Sequence, residues 1–334
     1  MEERQAPPLE RRGFARLVKV LLILTKRSSA RPLSKELSFR AVKLMIRKNL
    51  TDLRKRFVVS FVAVCVLALL MTWSDTLFVQ TSLVLLISAL AGVGVWEYAQ
   101  FAKAKELFPS IKTMVFVAVC EVFAFFAAHK MIVSSQMPAI VLALGAVVFF
   151  LVHFKDTSKA IFHVAVEFFG VCYVAVPLSF MLAILYPISS DGMSWDGRLW
   201  LIYLILVTKV TDIGAYFVGR LWGHRKLAPA LSPKKTIEGA VAGLACAIGC
   251  SLLMGWLSHT INTPLFHLPW MEAWVLGACI GIVGQIGDLA ESLLKRDAVV
   301  KDSNHLPGLG GVLDMVDSLL LTGPIVYFYL QIHS

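Results

Sequence analysis

The residues best suited to chemistry lie between Lys209 and Asp317. Within Gln285-Ile-Gly-Asp-Leu-Ala-Glu-Ser-Leu-Leu-Lys-Arg296, a helix would carry Asp288, Glu291 and Ser292 on one side and Lys295 a further turn along. A polar stretch with Lys301 and Asp302 follows, then Pro307-Gly-Leu-Gly-Gly311, then Asp314 and Asp317, three apart on one helix face. Gly308, Gly310 and Gly311 permit a tight loop that folds two helix ends together. Asp288, Asp314 and Asp317 can therefore converge. Three carboxylates cannot stay ionised side by side without a compensating charge. Hard oxygen donors suit Mg²⁺, and with neither histidine nor thiolate among them zinc is disfavoured. Lys234, Lys235, Lys295, Arg296 and Lys301 flank these carboxylates with positive charge, as phosphate requires. The pattern points to metal-dependent phosphate chemistry.

Two earlier groupings extend it. Lys209-Val-Thr-Asp-Ile-Gly-Ala-Tyr-Phe-Val-Gly-Arg220 places Lys209 and Asp212 on one helix face. They form either an ion pair that offsets its own desolvation or an anchor beside a polar cavity. Ser232-Pro-Lys-Lys-Thr-Ile-Glu-Gly239 combines a helix-breaking Pro233 with two lysines, with Thr236 as a helix cap and Glu238 in the first turn. Two lysines and a hydroxyl at a helix N-terminus can cradle phosphate. The grouping is no Walker motif, because no Gly-rich loop precedes the lysine.

The elements that must position these residues are membrane helices. Hydrophobic residues make up 57% of the 334 and charged residues 16%, against about a quarter charged in soluble domains. Apolar stretches at 57–73, 77–96, 113–128, 137–154, 164–186, 199–218, 240–258, 273–290 and 312–331 are long enough to span. With a cytoplasmic N-terminus, the internal connections hold 29 of the 32 lysines and arginines, the external ones only Lys130 and Arg198, and a span holds Lys209. That alternation follows the positive-inside rule. The expectation is an all-α polytopic membrane protein of about nine transmembrane helices, N-terminus cytoplasmic. Residues 1–56 form a basic cytoplasmic segment, 57–198 the N-terminal transmembrane helices, and 199–334 a catalytic transmembrane region with its active site on the cytoplasmic face.

Residues 1–56 hold 16 lysines and arginines against five acidic residues. They read as a solvated tail that sets topology or as a contact for anionic lipid. Nucleic acid is not the expected partner, since aromatic residues are not interleaved there as stacking would need. Cys65, Cys120, Cys172, Cys246, Cys250 and Cys279 all fall in apolar segments and read as packing residues. No cleavable signal peptide is expected, because the first long apolar run begins near Phe57. Upstream of residue 200, the polar residues singled out within or beside spans are Glu121, Glu167 and His163, either structural partners of Lys or His or the lining of a headgroup cleft.

Taken in order, four motifs resemble the phosphatidate cytidylyltransferase (CDP-diacylglycerol synthase) family. They are Asp212-x-x-Ala-Tyr-x-x-Gly-Arg220, Ser232-Pro-Lys-Lys-Thr-x-Glu-Gly239, Gln285-x-Gly-Asp-Leu-x-Glu-Ser292, and Ser292-Leu-Leu-Lys-Arg296 followed by Lys301-Asp302, the Gly-rich loop and Asp314-x-x-Asp317. The likeness is strong over residues 209–320. The chain departs from the family pattern at Leu309, where His is usual, and at Met315, where Arg is usual; the stretch from Asp302 to Pro307 is one residue short, with Asn304 where a small residue is typical.

The resemblance implies transfer of CMP from CTP to phosphatidic acid, giving CDP-diacylglycerol and pyrophosphate. It implies Mg²⁺ on Asp288, Asp314 and Asp317, and a second divalent or monovalent cation, or orientation of the first, for Asp317 and Asp212. Lys301 and Asp212 join the catalytic set. Ser232, Lys234, Lys235, Thr236, Glu238, Ser292, Lys295, Arg296 and Asp302 would bind substrate. Membrane lipids surround the chain, and a homodimer shielding the polar cleft is encouraged only by the resemblance. A bacterial plasma or inner membrane is the expected location. The competing readings are a CTP-dependent lipid or polyprenol kinase and a cation-coupled transporter.

Overall fold

In lipid an unbroken apolar run has no water to satisfy its peptide groups, so it closes its hydrogen bonds within a helix. The computed structural model describes residues 72–155, 157–187, 196–261, 266–299 and 311–333. Eight helices run over them: α1 (Leu77–Ala104), α2 (Ile111–His129), α3 (Met137–His153), α4 (Ala160–Leu185), α5 (Gly197–Leu221), α6 (Ile237–Ile261), α7 (Trp270–Asp297) and α8 (Val312–His333). Seven are long and apolar enough to cross a membrane. The eighth, α3, has 17 residues, about 25 Å at the helical rise, against a hydrocarbon core of about 30 Å. Eight of the nine expected segments fall on these helices. The first, 57–73, lies almost wholly outside the described residues, as does the basic segment 1–56.

Trp73–Ser334 forms one compact unit. Within it α1, α2 and α4 pack on one another with α3 at their edge, α5 to α8 pack in sequence, and α4 joins the two groups through α8. Side-chain contacts sort the connections into two ends. Lys105 pairs with Asp297 at 2.9 Å, Lys159 Nζ donates to Glu106 O at 3.5 Å, and Arg296 Nε donates to Leu231 O at 2.9 Å. These gather the connections after α1, α3, α5 and α7 at one end. At the other, the Tyr186 hydroxyl donates to Ser74 O at 3.0 Å and Arg198 meets Asp75 at 3.5 Å. Alternate connections thus share an end, as the charge pattern predicts.

The strands among the described residues form a short antiparallel hairpin between α5 and α6, β1 (Lys226–Ala228) and β2 (Ser232–Thr236). Pro233 explains why this stretch is not helical: it lacks the amide hydrogen that a helix interior needs, and it is tolerated at a sheet edge.

Candidate active site

Four helices and the hairpin bring those of the predicted acidic and basic residues that are described to one end of the bundle. On α5, Lys209 Nζ lies 3.4 Å from Asp212 Oδ2, and it also donates to the Met315 carbonyl on α8 at 3.3 Å. The Ser318 hydroxyl, with one proton to donate, lies 3.4 Å from each Asp212 carboxylate oxygen and 3.2 Å from Asp317 Oδ1. A single hydroxyl therefore links carboxylates on two helices.

The hairpin is fastened at both sides. Glu238 accepts the backbone amides of His224 and Arg225 at about 3.1 Å, which sets β1 against the start of α6. Arg296 holds the hairpin turn from α7 through Leu231 O. Thr236 Oγ1 accepts the Gly239 amide at 3.2 Å, so the expected helix cap forms. A strand alternates its side chains, and here the pleat divides the two lysines. Lys235 turns inward and meets Asp288 Oδ2 at 2.7 Å, while Lys234 is exposed. Ser232 is half-buried opposite Ala228.

On α7, Lys295 Nζ lies 2.9 Å from Glu291 and also contacts Asp314 of α8. Ser292 is half-buried beside them. The approach of α7 to α8 is set by Gly287: a Cβ there would stand 2.5 Å from the Asp317 carbonyl oxygen. Each of the three aspartates Asp212, Asp288 and Asp314 thus faces a lysine, and Asp317 lies buried beside Ser318. Lys301, Asp302 and Leu309 lie outside the described residues.

Glu97, on α1, is a residue the sequence reading passed over. It is 1% exposed, and its two oxygens accept the amides of Val312 and Leu313 at 2.9 and 2.8 Å. These are the first amides of α8, which have no helical partner of their own. A carboxylate there completes the helix start and complements its dipole. The signal was present as an acidic residue directly after the apolar stretch 77–96; its partners, more than 200 residues away, were not. Glu291, noted for its helix face but not counted as a site residue, is likewise buried and paired.

Among the other polar residues, Glu167 is a structural partner of histidine: its Oε1 lies 2.9 Å from His153 Nε2 and accepts the Ser110 amide at 2.5 Å. His163 Nε2 accepts the Phe108 amide at 3.3 Å. Among the described residues, neither oxygen of the fully buried Glu121 finds a hydrogen-bond partner.

The donors gathered at the cluster are carboxylate and hydroxyl oxygens, a set whose chemistry fits a hard dication. Among the described residues, no three acidic, histidine or cysteine side chains close on one point as a metal cage; the cations that the carboxylates meet are lysines. A site so built has paired positive and negative groups at the end of a membrane bundle, suited to an anionic substrate that exchanges partners with both.

Residues 54–333 match the model of the Cytidylyltransferase family. The chain is 35% identical over 288 residues to the phosphatidate cytidylyltransferase of Chlamydia pneumoniae, covering 84% of this chain and 92% of that one. It is 35% identical over 260 residues to the enzyme of the same name from Chlamydia muridarum, covering 74% and 83%. With that of Bacillus subtilis it shares 38% over 150 residues, 45% and 54% of the two chains. A match over most of its length, with the acidic and basic motifs assembled at one end of a membrane bundle, means that the chain belongs to the phosphatidate cytidylyltransferase family.

Proposed function

We propose that the chain transfers CMP from CTP to phosphatidic acid, with Mg²⁺, at the cytoplasmic face of a bacterial plasma or inner membrane. Family membership supports nucleotidyl transfer in general terms. The observation that carries the finer reading is the set of lysine–aspartate pairs, Lys209–Asp212, Lys235–Asp288 and Lys295–Asp314, drawn from α5, β2, α7 and α8 to one place.

In the reaction a phosphate oxygen of phosphatidic acid attacks the α-phosphorus of CTP. The bond from that phosphorus to the oxygen bridging toward the β-phosphate breaks, and pyrophosphate leaves with its electron pair. The nucleophile is already anionic near neutral pH, so the site needs no general base. Its difficulty is electrostatic: two anions must meet. Lys235 and Lys295 stand where phosphate oxygens can replace their aspartate partners, and Lys234, Arg296 and Lys301 extend the positive surface. Asp288, Asp314 and Asp317, with Asp212 beside them, would hold Mg²⁺, which supplies charge neutralisation to the triphosphate. Ser318 and the Glu97-held start of α8 keep Asp212, Asp314 and Asp317 in register. Ser292 and Asp302 belong to the same motif and are assigned to the substrate.

The test is product analysis with detergent-purified protein, phosphatidic acid, Mg²⁺ and CTP labelled at the α-phosphate. Label in CDP-diacylglycerol, lost with Asp288→Asn, supports the reading. Unlabelled lipid phosphate with labelled CDP, from a hydroxylated lipid acceptor, would make the chain a CTP-dependent kinase instead. Solute accumulation in sealed vesicles without nucleotide consumption would make it a transporter.

A further inference from the structure

Lys209 is the one cation among the 32 lysines and arginines that the charge pattern leaves inside an apolar span. An ammonium at that depth is costly unless it serves a polar cavity or a partner. Its position in the structure explains the exception. The ammonium bridges α5 to α8, at 3.4 Å from Asp212 Oδ2 and 3.3 Å from the Met315 carbonyl, and its charge also reaches Asp317. Its side chain is 40% exposed, so the ammonium is not sealed inside the pair. Met315, between Asp314 and Asp317, brings no charge of its own to this place.

We propose that Lys209 is a substrate-binding cation of the site, which contacts a phosphate oxygen from α5 at the place that Met315 leaves without charge. The inference rests on the cytidylyl-transfer reading above. A lysine has three protons to donate. Among the described residues the Asp212 carboxylate and the Met315 carbonyl take two of them, which fixes the ammonium at the start of α8 and leaves the third for an incoming oxygen. The same cation balances Asp212 and Asp317, so its loss costs both phosphate affinity and the local balance of charge.

The experiment compares Lys209→Gln, Lys209→Arg and the double variant Lys209→Gln/Met315→Arg with the unaltered chain. Turnover is read with labelled CTP, CTP binding by titration calorimetry, and folding by thermal unfolding in detergent. Gln removes the charge but keeps a donor for the Met315 carbonyl. It should lower kcat/KM by about 10- to 100-fold, the scale of a lost charged hydrogen bond. Arg should hold activity within a few-fold, and Met315→Arg should return at least about tenfold of the Gln loss, since either position would then supply the cation.

Activity of Lys209→Gln within twofold of the unaltered chain would overturn the proposal and leave the transferase reading standing. So would a loss that Met315→Arg does not repair, because Lys209 would then act through α5–α8 packing. Failure of Lys209→Gln to fold, with folding restored by Met315→Arg, would assign the cation to stability and also overturn it. An unaltered chain that neither binds CTP nor labels lipid would sink the transferase reading itself, and this inference with it.

Discussion

Two carboxylates of α1–α4, Glu97 and Glu167, and three of α5–α8, Asp212, Asp288 and Asp314, are held by different kinds of partner. Glu97 and Glu167 are buried and accept backbone amides, Glu97 two of them and Glu167 one beside a histidine. Such partners are fixed in the chain and have nowhere else to go. Asp212, Asp288 and Asp314 instead face lysine ammoniums on flexible four-carbon stems. A lysine can turn from a carboxylate to a phosphate. Glu97 and Glu167 therefore act as fasteners, as Glu238 does for the hairpin, whereas on the proposed reading Asp212, Asp288 and Asp314 are exchangeable partners. The teaching is that residue type alone did not separate the two; the nature of the partner did.

The strongest way to break this comparison is at the exchangeable set. Asp288→Asn and Asp314→Asn should each cut turnover by about a thousandfold, on the scale of losing a main electrostatic stabiliser. Thermal unfolding in detergent should show both variants still folded, each having lost one lysine–carboxylate pair. Near-normal turnover in either purified variant would take that residue out of the site.

Gly287→Ala should cost both properties at once. The added methyl would sit 2.5 Å from the Asp317 carbonyl oxygen, and overpacking of this kind costs about 1–3 kcal/mol. Thermal unfolding and turnover measured together check it. An unchanged melting temperature would mean that α7 shifts along α8 freely, and that the spacing of the aspartates is not set there.

Glu97→Gln tests the fastener side. An amide has one acceptor oxygen where the carboxylate has two, so one of the amides of Val312 and Leu313 is left bare, at about 1–3 kcal/mol. The melting temperature should fall, with substrate KM unchanged at temperatures where the variant is folded. A raised KM at an unchanged melting temperature would move Glu97 into the substrate site and dissolve the contrast. Lys235→Ala should be milder, about tenfold in kcat/KM, or roughly 1.4 kcal/mol. No change there would return Lys235 to the residues that only set topology.

Much of the fold was legible because hydropathy records which peptide groups must satisfy themselves in lipid. It recorded depth better than helix length. α1 continues to Ala104 and α7 to Asp297, beyond the apolar stretches that end at 96 and 290. Those last turns carry Lys103, and Lys295 with Arg296, which the negative end of a helix dipole favours. The pairing of Lys209 with Asp212 and the Thr236 cap were readable because both are local. The partners of Glu97 and the seat of Lys209 on Met315 were not, since each joins residues over a hundred positions apart. The hairpin was missed for another reason: Pro233 announced that a helix stops, and nothing nearby announced that a strand begins.

The pleat of β2 has a kinetic consequence. Lys234 and Lys235 are neighbours in sequence, but Lys235 meets Asp288 while Lys234 lies on the exposed face of the strand. A charge on the outer face acts at long range on an approaching anion and is muted by salt, whereas one held inside is screened far less. Removing the charge of Lys234 should therefore slow capture of the nucleotide, an effect that vanishes as ionic strength rises, while removing that of Lys235 should shorten the nucleotide's stay at any ionic strength. If both outcomes hold, one peptide bond separates the residue that governs arrival from the residue that governs departure.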